Sequence, residues 1–205
     1  MTKYFFDKEV DGIYRLKVPF MSVYTSVFLI NANKDYLLVD CATTDSDVDG
    51  VIVPALKELN LSANDIKYLI LTHNHGDHAG GKERLLQLNP NLKVINNAVS
   101  LDLDQIEIVA LKGHTLDCIG VFDNRTGTLI SGDGIQGHGI GKFRCSLESQ
   151  DEYLKTLEKI EKDKRIQKIL FSHEYEPWYK AVSDGREQIL NCLSDCREYL
   201  KRRKQ

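Results

Sequence analysis

The chain reads as one α/β domain spanning residues 1–205, with helices covering β-sheets. Three observations carry this reading. Apolar runs of strand length fall in two blocks, segments of helical periodicity separate and follow them, and no proline- or serine-rich linker divides the 205 residues. A chain of this size buries roughly 70% of the surface its unfolded form exposes, so a core can form without disulfide staples.

The elements follow in order. Gly12 to Pro19 alternates as a strand, and Ser26 to Ile30 and Tyr36 to Asp40 are apolar runs flanking the turn-like Asn31-Ala32-Asn33-Lys34-Asp35, so the chain opens as a β-meander. Ser46 with Asp47 and Asp49 gives the acidic first turn of a helix reaching Leu59, which Pro54 must either kink or restart. Ile66 to Leu71 is a strand, and Gly81 to Leu88 a helix that stops before Pro90. Leu92 to Ile95, Ile106 to Leu111, Cys118 to Asp123 and Thr128 to Ser131 form a second β-rich block, its last two runs joined by a turn at Asn124-Arg125-Thr126-Gly127. Ser149-Gln150-Asp151-Glu152 fits a capping box ahead of a helix over 150–162 whose Tyr153, Leu154, Leu157 and Ile160 share a face. Lys168 to Phe171 is a short strand. From Ser183 the set Ile189, Leu190, Leu193, Cys196 and Leu200 marks a final helix, and Lys201-Arg202-Arg203-Lys204 at its end suits the helix dipole as a solvated tail.

Composition removes several classes of partner. With 42% hydrophobic and 28% charged residues and a net charge of -3, the chain has no electrostatic reason to bind nucleic acid. Charge interrupts the N-terminus too early for a signal peptide, and no run approaches the ~18 apolar residues that span a bilayer, so a cytoplasmic protein without a membrane partner is expected. Cysteines 41, 118, 145, 192 and 196 form no Cys-x-x-Cys pair and read as buried thiols; Cys192 and Cys196 are spaced to face one way on a helix.

The chemistry gathers at Thr72-His73-Asn74-His75-Gly76-Asp77-His78-Ala79-Gly80-Gly81, directly after an apolar strand. Imidazole and carboxylate are ligands for zinc, iron and manganese, and a catalytic metal needs at least three such groups with one position open. Three further candidates also follow strand-like runs: His114 after Leu111, Asp133 after Leu129-Ile130, and His173 after Leu170-Phe171. Several strands would thus deliver ligands to one sheet edge. A lone histidine is usually a surface or satisfied core residue, but five of the six histidines fall into this one pattern. Packing seven polar groups together without a metal would leave several buried and unpaired, at roughly 1–3 kcal/mol each.

His-x-His-x-Asp-His, Gly113-His114-Thr115, Ser131-Gly132-Asp133 and Ser172-His173 together resemble the metallo-β-lactamase superfamily over residues 10 to about 180. The resemblance implies a four-layer αββα sandwich with two divalent metal ions at one edge, zinc foremost and iron or manganese as alternatives. By that resemblance His73, His75 and His114 hold one ion, Asp77, His78 and His173 the other, and Asp133 bridges them. Leu38-Val39-Asp40-Cys41-Ala42 resembles the family's Asp-Thr-Gly segment near the metals, from which Cys41 and Ala42 depart.

Metals so placed lower the pKa of bound water from about 15.7 towards about 7, which makes a bridging hydroxide the nucleophile and leaves Asp77 to orient or shuttle its proton. The implied function is hydrolysis of a small ester, thioester or lactone by a glyoxalase II-like or lactonase-like enzyme. Asp133 stands where the family's β-lactamases commonly carry cysteine or serine, and the short stretch after His173 leaves room for one helix rather than the glutathione-gripping domain of typical glyoxalase II enzymes. Two other readings stay open: an oxidoreductase with mononuclear iron that resembles persulfide dioxygenases, and a non-catalytic metalloprotein that binds a metabolite. Oligomeric state is open as well.

For the small-molecule substrate, the glycine-rich stretch from Gly134 to Arg144 is expected to be a mobile loop near the site. Lys142 and Arg144 suit a substrate carboxylate, and His138 and Tyr175 are further contact candidates. Phe20, Met21, Tyr24, Trp178 and Tyr179 are candidates for an apolar wall. Gly132-x-Gly134-x-x-Gly137 is formally a dinucleotide fingerprint, but the residues that follow have no helical periodicity.

Overall fold

A computed structural model describes residues 3–137, 147–174 and 180–203, and it divides into two compact units, Met1–Asn96 and Asn97–Gln205.

The first unit holds a six-stranded sheet in the order β1 (Asp7–Val10), β2 (Ile13–Phe20), β3 (Val23–Ala32), β4 (Asp35–Val39), β5 (Ile66–Ile70), β6 (Lys93–Ile95). β1 to β4 pair antiparallel, the expected meander, while β4, β5 and β6 run parallel through helical crossovers. Leu16, Val18, Val27, Leu29, Leu38 and Leu69 line one face and pack on Val48, Ile52, Ala55, Leu56 and Leu85. The helices that cover this face are short: one run over 45–58 interrupted by a wider turn, and a second of seven residues. Helices so short are not stable alone, so burial of these side chains, about 1.5–3 kcal/mol for each large one, is what holds them.

The first crossover settles the question posed by Pro54. α1 (Asp45–Asp47) runs into a π-helical turn at Val48–Ile52 and then into α2 (Val53–Glu58), with Pro54 in its first turn. Proline has no N–H to donate, and its ring crowds the carbonyl four residues back; the wider turn ahead of it accommodates both. The cap is Thr44 rather than Ser46: Asp47 N donates to Thr44 Oγ1 and Thr44 N donates to Asp47 Oδ2. Unforeseen in the sequence are β1, too polar to show alternation, a 3-10 turn at Ala63–Asp65 capped by Ser62, and α3 (Gly76–Ala79) inside the histidine cluster. After it α4 (Lys82–Leu88) returns to the sheet.

The second unit holds a five-stranded sheet in the order β11 (Val182–Asp184), β10 (Lys168–Leu170), β9 (Thr128–Ile130), β8 (Ile119–Asp123), β7 (Ile106–Ala110). α5 (Gln150–Lys162) and α6 (Arg186–Arg203) bury Tyr153, Leu157, Ile160, Ile189, Leu193 and Leu200 against Phe122, Leu129, Ile169 and Phe171. Ser149 Oγ accepts from Glu152 N, while the Glu152 carboxylate takes Lys155. Ser183, expected to open the last helix, is instead a residue of β11, and Gly185 at φ +82° makes the break before α6. Cys192 and Cys196 are fully buried, and both thiols donate to Gln136 O, at 3.4 and 3.7 Å. Among the described residues, no helix is long and apolar enough to cross a membrane.

Two glycines of the histidine cluster are required by close approach rather than by backbone angle. A Cβ on Gly80 would lie 1.9 Å from Thr43 O, and one on Gly81 2.4 Å from Cys41 O. Gly80→Ala is therefore expected to destabilise the protein by at least about 3 kcal/mol, because the obstacle is main chain and cannot swing aside. Urea unfolding checks this, and a variant within about 1 kcal/mol of wild type contradicts it.

Candidate metal centre

Parallel strands that end together set the site in the first unit. β4 and β5 pair in parallel, Val39 opposite Ile70, so the residues that follow them, Asp40 and Leu71-Thr72-His73, emerge at the same sheet edge. Asp40 N donates to Ile70 O and extends the ladder by one bond. The loop after Asp40 is then laced to α3. Cys41 N and Cys41 Sγ both donate to His78 O, at 2.8 and 3.3 Å, and Gly80 N donates to Ala42 O at 2.9 Å. Asp40 and Ala42 take left-handed φ of +61° and +60°. The alanine thus keeps the backbone that glycine adopts freely, at a cost of about 1–2 kcal/mol.

Asp40 is fully buried and organises what faces it. Its Oδ1 accepts from Thr72 N at 2.8 Å; its Oδ2 accepts from Thr72 Oγ1 at 2.9 Å and from His78 Nδ1 at 2.7 Å. With its proton given to Oδ2, Thr72 Oγ1 is left to accept from His73 Nδ1 at 3.2 Å. This network assigns both Nδ1 atoms as N–H and leaves Nε2 of His73 and of His78 bare, the arrangement that metal-binding imidazoles need.

Two donor pairs result. His73 Nε2 lies 2.9 Å from His75 Nδ1, and His78 Nε2 lies 3.5 Å from Asp77 Oδ2. Two ligand atoms on a tetrahedral zinc at ~2.1 Å are ~3.4 Å apart, so the second pair matches that separation and the first falls about half an ångström short. His73 and His78 are buried, Asp77 is half-buried and His75 is exposed.

In the second unit β9 and β10 run parallel, and β7 points the same way across antiparallel β8. Each of these three strands ends shortly before one candidate. His114 follows β7, Asp133 follows β9 and His173 follows β10, and all three side chains are buried. His114 Nε2 lies 3.7 Å from Asp133 Oδ2 and His173 Nε2 lies 3.4 Å from Asp133 Oδ1. One carboxylate thus turns each oxygen to a different imidazole. The turn bearing His114 is clamped by Glu148, whose N donates to His114 O at 3.1 Å and whose Oε2 accepts from Leu116 N. Behind it, a Cβ on Gly113 would come within 2.5 Å of Tyr153.

The cysteines stand apart from this chemistry. Burial first, and then the charge of Asp40, pushes the Cys41 thiol well above its ordinary range, and burial pushes Cys118 up to about 12. Both are neutral near pH 7 and offer no thiolate.

His138, Lys142, Arg144, Tyr175, Trp178 and Tyr179 lie outside the described residues. The described start of the glycine-rich stretch, 134–137, is not the open loop expected: Ile135 and Gln136 are buried, and a Cβ on Gly134 would meet Leu111 Cβ at 2.7 Å. Met21 is 85% exposed at the β2–β3 turn, and Tyr24 lies under Lys17 Nζ, 4.6 Å from its ring centroid. The role of Thr72, which abuts His73, has no sign in the sequence. Sequence reasoning also misses Thr25, whose hydroxyl donates to Asp77 Oδ2 at 3.3 Å; the signal available is a polar pair, Thr25-Ser26, inside an otherwise apolar strand.

A family model described as the Metallo-beta-lactamase superfamily matches residues 22–101. The chain is 26% identical to a hydroxyacylglutathione hydrolase of Legionella pneumophila (strain Corby) over 172 residues, covering 72% of this chain and 68% of that one. It is 31% identical to a cytoplasmic hydroxyacylglutathione hydrolase of Arabidopsis thaliana over 54% of this chain and 52% of that protein. A Beta-lactamase-like protein 2 homolog of Caenorhabditis elegans is 29% identical over 76% of this chain and 57% of its own length. The chain therefore spans between about half and two thirds of these relatives. Among solved structures, the metallo-β-lactamase FIM-1 from Pseudomonas aeruginosa in its mono-zinc form superposes with a TM-score of 0.75 at 18% identity, covering 97% of this chain and 96% of that one. One from Erythrobacter litoralis gives 0.71 at 20%, with 97% and 98% covered. At such identities the likeness speaks to the fold, and the α/β class of metallo-β-lactamase type expected from the sequence is the class observed.

Asp40→Asn would turn an amide N–H₂ or a weaker acceptor towards donors that now share a carboxylate. A loss of about 3 kcal/mol is expected in urea unfolding with chelator present, where metal affinity plays no part. A stability within about 0.5 kcal/mol of wild type contradicts the role given to Asp40.

Proposed function

We propose, from the chain's similarity to the metallo-β-lactamase superfamily, that it is a divalent-metal-dependent hydrolase of a small acyl compound, a thioester or ester in the first instance and a lactone in the second. The observation that carries the reading is the pairing of donors. His73 with His75 and Asp77 with His78 form two sets in one unit, and Asp133 presents separate oxygens to His114 and His173 in the other. Thioesters come forward because relatives of this chain are named hydroxyacylglutathione hydrolases and an ACP thioesterase.

In this reading residues 1–205 act as one domain. His73, His75 and His114 hold one ion, Asp77, His78 and His173 a second, and Asp133 is shared between them. The donor set of imidazoles and carboxylates suits zinc, iron or manganese, zinc being favoured. Such ions, when bound, supply Lewis acidity and water of lowered pKa. The protein's own contribution is orientation. Asp40 and Thr72 fix the ring tautomers of His73 and His78, and the carboxylate of Asp77 accepts the proton that water must lose on attacking an acyl carbon. No nucleophilic side chain is called for, consistent with the neutral thiols of Cys41 and Cys118. Lys142 and Arg144 are proposed to receive an anionic group of the substrate, with His138 and Tyr175 beside them. A cytoplasmic location is part of the same reading.

Protein purified without added metal or chelator is expected to carry close to two zinc ions per chain by elemental analysis. One iron per chain would instead support an oxidoreductase acting on a sulfur substrate, tested by oxygen consumption with persulfides. His75→Ala opens a ligand position, so thioester turnover is expected to fall by at least ~100-fold with metal content reduced. Full activity in a metal-depleted His75→Ala protein contradicts the proposal.

A further inference from the structure

Asp77 is held from outside the motif that contains it. Thr25, on β3 and opposite Val18 of β2, is 1% exposed, and its Oγ1 donates to Asp77 Oδ2 at 3.3 Å from 52 residues away in the chain. The same oxygen lies 3.5 Å from His78 Nε2. We infer that Thr25 is the positioning residue for Asp77, keeping its carboxylate beside His78 Nε2 so that the second donor pair is formed before an ion arrives. The inference rests on the reading of Asp77 and His78 as donors to a second ion.

Three physical points support it. Asp77 lies on a four-residue helix next to exposed residues and is itself half-buried, and a helix so short has little rigidity of its own to lend a side chain. Thr25, by contrast, sits in a ten-residue strand, and a β-branched side chain in a strand is stiff at χ1, which makes its hydroxyl a fixed donor. The donor is also neutral. A lysine or arginine at this position would orient the carboxylate equally well but would repel a cation, whereas a hydroxyl leaves the negative charge available.

Asp40 and Thr72 serve both pairs, whereas Thr25 serves one. Thr72 and Asp40 stand behind the Nδ1 atoms of His73 and His78, and Thr25 contacts the carboxylate alone. Removing the Thr25 hydroxyl should therefore weaken one ion and spare the other, a split that general loosening of the fold does not produce.

The test is a zinc titration competed against a chromophoric chelator, run on wild type, Thr25→Val and Thr25→Ser, with urea unfolding of each metal-free protein alongside. Valine keeps the shape and removes the hydroxyl. The expected result is an unchanged first affinity and a second weakened by about 10- to 100-fold in Thr25→Val, with recovery in Thr25→Ser. Equal second affinities in valine variant and wild type, or both affinities falling together, overturn the inference while leaving the hydrolase reading intact. Wild-type protein that binds fewer than two zinc ions overturns the two-ion reading and this inference with it. If valine disturbs the fold, Thr25→Ala, which adds no bulk, gives the same comparison.

Discussion

A single buried carboxylate sets the geometry of the first unit. Asp40 accepts three hydrogen bonds, from Thr72 N, Thr72 Oγ1 and His78 Nδ1, and has no exposure to water. A carboxylate in such surroundings is tolerable only when donors surround it, and here the donors are the groups whose orientation matters most. The strand end, the loop to Thr44 and the short helix α3 close around this one group. The left-handed backbone at Asp40 and Ala42 is the strain that this closure carries, offset by the bonds that Cys41 N donates to His78 O and Gly80 N donates to Ala42 O.

Both units use the same device: strands that point the same way release their polar residues at one edge. In the first unit β4 and β5 do so for Asp40 and His73; in the second β7, β9 and β10 do so for His114, Asp133 and His173. β5, β7, β9 and β10 are short and apolar, five residues or fewer, and each ends three or four positions before His73, His114, Asp133 or His173. Rigidity is borrowed from the sheet, and chemistry is left to the turn that follows it.

Much of this was legible in the residues. Strand-length apolar runs located nine of the eleven strands to within a few positions; the exceptions are β1, whose Asp7-Lys8-Glu9-Val10 pairs with β2 through its backbone and leaves no hydrophobic trace, and β11, where Ser183 reads as a helix start because the turn at Gly185 is invisible to periodicity. The candidate ligands were legible because His73, His75, Asp77 and His78 are packed into six positions. Their supports were not. Thr25 reaches Asp77 across 52 residues, and Asp40 reaches His78 across 38, distances over which no local pattern operates. The buried Arg15 shows the same limit: alternation along β2 puts it on a buried face, where Glu9 and the ring of Phe28 receive it, and nothing in the sequence near it announces that partnership.

The two thiols on Gln136 O give the last helix a meaning beyond cover for the sheet. Cys192 and Cys196 grip a carbonyl three residues after Asp133, so α6 is fastened to the very segment that carries that carboxylate. Trimming the chain back past residue 196, or pulling on α6 through a rigid fusion at its end, would be felt at that carboxylate.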